Sequence, residues 1–182
     1  MKHVTIPQDR IGVLIGEGGE TMREIESQAE VRLDIDSDDG SVRIDQTGDP
    51  VRGLKAPEIV KAIGRGFAPD VALSLLEDEM MMFDVVDIDA VARNQNDLQR
   101  HKGRLIGENG RTRELMEELT GADVVIYGTT LGIIGNPKQV DAVRSAAEMI
   151  LDGAPHGAVY SFLERKRNEM KRQGMEFHQF PG

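Results

Sequence analysis

The sequence predicts an α+β chain built from two copies of one small unit, each ordered β-α-α-β-β-α, and two observations carry that reading. Leu14-Ile15-Gly16-Glu17-Gly18-Gly19-Glu20-Thr21 returns 91 residues later as Leu105-Ile106-Gly107-Glu108-Asn109-Gly110-Arg111-Thr112, with Gly12 and Gly103 in register. Downstream, Gly48-Asp49-Pro50 returns as Gly135-Asn136-Pro137 at an offset of 87. Two landmarks in the same order, with a small slip in spacing, mark a duplicated unit of about 70 residues and not a solenoid.

In the first copy, Val4 to Ile6 opens a strand that Pro7 stops, and Asp9 caps a brief helix carrying Ile11, Val13, Leu14 and Ile15. The turn at 16–19 leads into a helix over 20–29, whose Met22, Ile25 and Ala29 recur at spacings of three and four. Val31, Leu33 and Ile35 alternate with Arg32, Asp34 and Asp36, the period of a half-buried strand, and Val42 with Ile44 returns after the 37–40 turn. A last helix lies within 50–65, kinked or restarted by Pro57 and ended by Gly64 and Gly66.

The second copy reads as a strand over 81–88, a polar connection over 89–97, and a run from Lys102 to Ile106 into the turn at 107–110. A helix over 113–119, closed by Gly121, precedes a hairpin of 124–127 and 131–134. Asn136 then caps a helix with Pro137 in its first turn and Val140, Val143, Ala147 and Ile150 on one face. Outside the repeats lie a connecting helix over 69–76 and a C-terminal helix over 157–173, apolar at Val159, Phe162, Leu163 and Met170. The expected domains are 1–68 and 79–154, joined by a connecting helix at 69–78 and followed by a helix and tail at 155–182. Met80, Met81, Met82 and Phe83 read as a buried strand at the join.

Composition excludes several classes. The 182 residues carry 32 acidic and 22 basic side chains, a net charge of −10, with no Cys and no Trp. Zero Cys removes disulfides, thiolate zinc sites and thiol nucleophiles together. No apolar run approaches the roughly 18 residues a membrane span needs, and the N-terminus lacks a signal-peptide core, so a soluble, cytoplasmic chain with no membrane partner is expected. His3, His101, His156 and His178 are scattered without ligand spacing, and the carboxylates are not localised. We therefore expect no enzyme, catalytic residue, metal, cofactor or small-molecule substrate. Neither glycine turn is followed by Lys-Ser or Lys-Thr as in a P-loop, and the first lacks the dinucleotide fingerprint.

The element order and the Ile-Gly-x-x-Gly turn between two helices resemble a type I KH module. The glycines let a nucleic-acid backbone come close, the following helix start offers amides to phosphate, and the groove beside it can hold about four unstacked nucleotides. The scarcity of aromatics weighs against platforms that stack bases on rings. The candidates in the second module are Lys102, Arg104, Ile106, Gly107, Glu108, Asn109, Gly110, Arg111, Thr112 and Arg113. Weaker ones in the first are Ile15, Gly16, Glu17, Gly18, Gly19 and Thr21. Between residues 100 and 113 five basic side chains face one acidic one, a local balance of +4, whereas residues 10–23 balance to zero, so the second turn is the expected binder. Glu17 and Glu108 would repel phosphate unless they point away. On the C-terminal helix, Arg165, Lys166 and Arg167 are a further candidate contact to an RNA backbone, or simply its solvated face.

The joining segment Lys61-Ala62-Ile63-Gly64-Arg65-Gly66-Phe67-Ala68-Pro69, the second turn from Gly103 to Arg113 and the stretch Gly153-Ala154-Pro155-His156-Gly157-Ala158-Val159-Tyr160 resemble the archaeal KH-domain rRNA-processing family, related to the eukaryotic Dim-two/Pno-one ribosome assembly factor. The resemblance covers nearly the whole chain. It implies binding of single-stranded small-subunit rRNA near its 3′ end during subunit maturation, with a Nob-one-type endonuclease and the pre-ribosomal subunit as partners. It places that role mainly on Gly107, Gly110, Arg111, Thr112 and Arg113, with Ile106 in the groove. A KH-fold scaffold for protein interactions, with little RNA binding of its own, is the alternative. The acidity is uneven: residues 1–78 hold 9 basic and 16 acidic side chains, and residues 79–182 hold 13 and 16. Adaptation to high salt is one expected cause, and it would favour compact recognition of a short strand over broad electrostatic binding.

Overall fold

Val31, Leu33, Val42 and Ile44 are buried while Arg32, Asp34 and Arg43 between them are exposed, so the first hairpin turns one face to a core and one to water. It belongs to the first of two compact units, residues 1–83 and 84–182, into which the chain divides. The structure is a computed structural model that describes the backbone of residues 1–179 and the side chains of residues 1–174. The side chain of His178 and the end of the tail expected at 155–182 lie outside the described residues.

The first unit contains β1 (Lys2–Thr5), α1 (Gln8–Ile15), α2 (Glu20–Ala29), β2 (Val31–Ile35), β3 (Ser41–Gln46) and α3 (Pro50–Gly64). The antiparallel sheet has the order β1-β3-β2, with Val4 opposite Val42 and Leu33 opposite Ile44. Leu14, Ile25, Ile59 and Ile63 fill the core between this sheet and the helices. Asp49 caps α3 by accepting from the Val51 amide at 2.9 Å, and Pro57 lies inside one continuous helix. The connecting helix is α4 (Pro69–Leu73), continued by one 3-10 turn over Ser74–Leu76, and both pack on α3.

The second unit repeats the order. Its elements are β4 (Met82–Asp87, the first two residues falling before the division), α5 (Gln95–Ile106), α6 (Arg111–Thr120), β5 (Asp123–Tyr127), β6 (Thr130–Gly135), α7 (Pro137–Leu151) and the additional α8 (His156–Gln179). The sheet order is β4-β6-β5, and every residue of the central β6 is buried. Asn136 caps α7 in a reciprocal box with Gln139, each side-chain oxygen accepting the other's backbone amide at 2.9 Å. Helix α8 packs on α6 and α7, with Val159 and Leu163 fully buried. Met80 is 60% exposed and lies outside β4, while Met81, Met82 and Phe83 are half-buried, which corrects the expectation of a buried Met80–Phe83 strand.

Helix α5 begins seven residues before the expected run at Lys102, because its inward face carries polar groups. Asn94 caps it by accepting from the Asp97 amide at 2.9 Å, and Asp97 and His101 are buried beside Leu98 and Leu105. The Asp97 carboxylate accepts from the Arg93 amide at 3.0 Å and from the Arg100 guanidinium at 2.8 and 3.1 Å. These bonds, the Arg93 amide first, pull its pKa down from 3.8 to about 2. A carboxyl depressed in the folded state stabilises fully above its unfolded pKa and loses that contribution as pH falls through the folded one. Thermal melts are therefore expected to fall between about pH 4 and pH 2, and Asp97→Asn should flatten that decline while lowering the melt at neutral pH.

Candidate nucleic-acid interface

The two glycine turns have the same backbone conformation. Gly16 and Gly107 lie at φ/ψ of 75/175 and 79/171, Gly18 and Asn109 at 59/19 and 55/28, and Gly19 and Gly110 at 79/12 and 75/11. Three of the four turn residues lie at positive φ, which accounts for the glycines, and asparagine is among the few other residues that adopt this region readily. A Cβ at Gly16 or Gly107 would come within 2.2 or 2.1 Å of the hydroxyl of Thr21 or Thr112, so each threonine is the block that shapes its turn. No side chain caps the amide end of α2 or α6, which leaves both helix starts open to an anion.

The turns differ in what covers them. At Gly110 nothing lies within 4 Å of where a Cβ would stand, whereas at Gly19 the Arg23 guanidinium is 3.0 Å away and donates to the Gly18 carbonyl. The position matching Arg23 in the second module is Glu114, which faces Arg111 at 3.8 Å. A nucleic-acid backbone can thus approach the second turn directly, while approach to the first must displace an arginine. Ile106 closes α5 with 36% of its surface exposed beside the turn, and its counterpart Ile15 is half-buried.

The +4 balance between residues 100 and 113 does not survive folding as free charge. Arg100 binds Asp97, and Arg104 forks onto the Ile150 and Ala154 carbonyls at 2.6 and 2.5 Å, closing the end of α7. Arg113 binds Glu117 at 2.6 Å, and that carboxylate also accepts from the Val124 amide at 3.0 Å. Arg104 and Arg113 are therefore structural side chains and not free phosphate ligands. Thr112 is corrected likewise: it is 1% exposed and its hydroxyl shares a 2.8 Å hydrogen bond with Tyr160 of α8. Widening the window to residues 97–118 gives five basic and five acidic side chains. Two cations stay available. Arg111 is exposed, and its pairs with Glu114 and Glu118 at 3.8 and 3.7 Å are surface contacts that exchange readily. Lys102 has no ion-pair partner among the described residues and lies four residues before Ile106, on the same helix face. Glu17, Glu108 and Asn109 are exposed on their turns.

Three features escaped the sequence reading. Arg10 in the first module does what Arg104 does in the second, donating to the Ile63 and Phe67 carbonyls at 2.8 and 2.9 Å from a position one helical turn earlier. Glu26 bonds the Leu33 amide at 2.9 Å as Glu117 bonds Val124, both pairs in the 91-residue register. His156 starts α8 with its Nε2 2.9 Å from the Arg104 carbonyl oxygen, so α8 grips the second turn through both His156 and Tyr160. Of the candidates on α8, Lys166 pairs with Glu169 at 3.4 Å, whereas Arg165 and Arg167 are exposed without a carboxylate partner among the described residues.

Comparison with known proteins agrees with this geometry. A KH-domain family model matches residues 1–60, and a model of the eukaryotic-type KH domain (type I), named for the second domain of Pno1, matches residues 82–168. A KH domain-containing protein of Methanocaldococcus jannaschii is 46% identical over 174 residues, covering 94% of this chain and 76% of the relative. A crystal structure of Dim2p from Pyrococcus horikoshii OT3, in complex with a/eIF2alpha and rRNA, superposes with a TM-score of 0.86 at 43% identity over 92% of this chain and 94% of that one. The chain belongs to the Dim2/Pno1 family of KH-domain rRNA-processing proteins. The pre-rRNA-processing protein pno1 of Emericella nidulans is 32% identical over 148 residues, and this Dim2/Pno1-type chain covers 79% of itself in that match but only 57% of the fungal protein.

Proposed function

We propose that the protein is a non-catalytic rRNA-binding factor in pre-rRNA processing. It holds single-stranded small-subunit rRNA near its 3′ end against the second KH turn. The observation that carries this reading is the open Gly110, at the uncapped start of α6, flanked by Ile106, Lys102 and Arg111. With so few free cations, affinity must come mainly from close backbone approach and base-edge contacts in the groove, which suits an acidic protein. The Pyrococcus relative bound to rRNA supports the substrate class and makes the initiation-factor subunit a partner to test. A Nob-one-type endonuclease and the pre-ribosomal subunit complete the proposed setting, in the cytoplasm.

The experiment is a titration with a single strand matching the 3′ end of the small-subunit rRNA, against a scrambled strand of the same composition and against a duplex. The reading predicts preference for the native strand by about tenfold, which is about 1.4 kcal/mol. Equal binding of native and scrambled strands would refute 3′-end recognition. No binding to any strand would favour the protein-interaction scaffold.

A further inference from the structure

Helix α8 runs beside α6 in the same direction. At its start Tyr160 meets Thr112, and about 10 Å further along α6 Arg167, Met170 and Lys171 border Glu118 and Leu119. The far end opens into a cleft of about 600 Å³, within the usual range for a small-molecule site. Three cations line it: Lys138 from the start of α7, and Arg167 and Lys171 from α8. Arg167 and Lys171 have no carboxylate partner among the described residues, and Lys138, which also borders Asp141 and Glu169 in an adjoining cavity, donates to the neutral Gln173 amide oxygen and forms no ion pair among the described residues. The one carboxylate in the wall, Glu118, lies 3.7 Å from Arg111. Leu119 and Met170 add an apolar surface. Cations beside an apolar wall suit a nucleotide, which offers a phosphate and a base face together.

We propose that the RNA strand held by the second turn continues along α8, seating one or two further nucleotides in this cleft with their phosphates on Arg167, Lys171 and Lys138. This rests on the reading of the second turn as an RNA site and extends its footprint beyond the groove. Continuity favours RNA over an acidic peptide: the helix that carries these cations is the same one that clasps Thr112 behind the turn.

The test compares a strand of about four nucleotides, enough to fill the groove, with strands extended by a further four on the 5′ or the 3′ side. Each is titrated into the full chain and into Arg167→Gln/Lys171→Gln, whose exposed side chains should leave the thermal melt unchanged. The short strand should bind both proteins equally. One extension should tighten binding to the unaltered protein, and the double variant should lose that gain by about tenfold, with a salt slope shallower by about 1.4 for two phosphate contacts. Equal gains in both proteins, or no gain from either extension, would overturn the cleft assignment while leaving the turn assignment standing. Failure of the short strand to bind the unaltered protein would overturn both. An acidic peptide that needs Arg167 and Lys171, with RNA indifferent to them, would transfer the cleft to a protein partner.

Discussion

Gly110→Asp is expected to leave the second module folded and to weaken RNA binding by at least about tenfold, because a carboxylate then occupies the closest approach to phosphate. Open space surrounds the new side chain, since nothing lies within 4 Å of its Cβ. The cost to the fold is that of a non-glycine residue at a φ of +75, about 1 kcal/mol. Gly107→Asp should behave differently, because its Cβ would fall 2.1 Å from the Thr112 hydroxyl and 2.7 Å from the Thr112 amide nitrogen. Thr112 cannot retreat, being 1% exposed and bonded to Tyr160, so overpacking adds to the positive-φ penalty and the loss of stability reaches about 3 kcal/mol. Thermal melts and RNA titrations of the two variants separate binding from folding: Gly110→Asp should move the second far more than the first, and Gly107→Asp should move both.

Arg104→Ala is expected to destabilise the second module by about 2 to 3 kcal/mol while leaving RNA affinity within about twofold. The Arg104 guanidinium satisfies the Ile150 and Ala154 carbonyls where α7 ends, and its removal strands both oxygens in a partly buried place. Lysine should rescue little, since a single ammonium cannot reproduce the planar fork. The denaturant midpoint measures the loss. A large loss of affinity with an unchanged midpoint would return Arg104 to the phosphate ligands. Lys102→Ala offers the contrast within the same helix, with little effect on stability and a weaker complex.

Much of the fold was legible because duplicated residues do duplicated work. The 91-residue offset placed both turns, and the alternation in 31–35 and 42–44 and the Asn136-Pro137 cap marked elements whose bounds the structure reproduces closely. Helix α5 was read too short because its buried face includes Asp97 and His101, polar groups that apolar periodicity does not count; Asp97 is satisfied by its near neighbours Arg93 and Arg100, while the buried Nδ1 of His101 has no hydrogen-bond partner among the described residues. The candidate turn was legible as a backbone motif, while the charge counted around it is largely paired within the fold. Local charge counting ended at Arg113, just before Glu114, Glu117 and Glu118, and treated Arg104 as solvent-facing when helix packing turns it onto carbonyls from a distant segment. Tyr160 could be found only from the fold, since its partner Thr112 is 48 residues away. The same holds for the cover on the first turn, where Arg23 folds back over Gly19.

The second turn, and not a charged surface elsewhere, is expected to hold the RNA. Amide hydrogen exchange of the whole chain, with and without the 3′-end strand, reads this out residue by residue. The strand should slow exchange most over residues 106–113, with a smaller effect or none over residues 15–21. Slowing that spares residues 106–113, whatever its location, would contradict it.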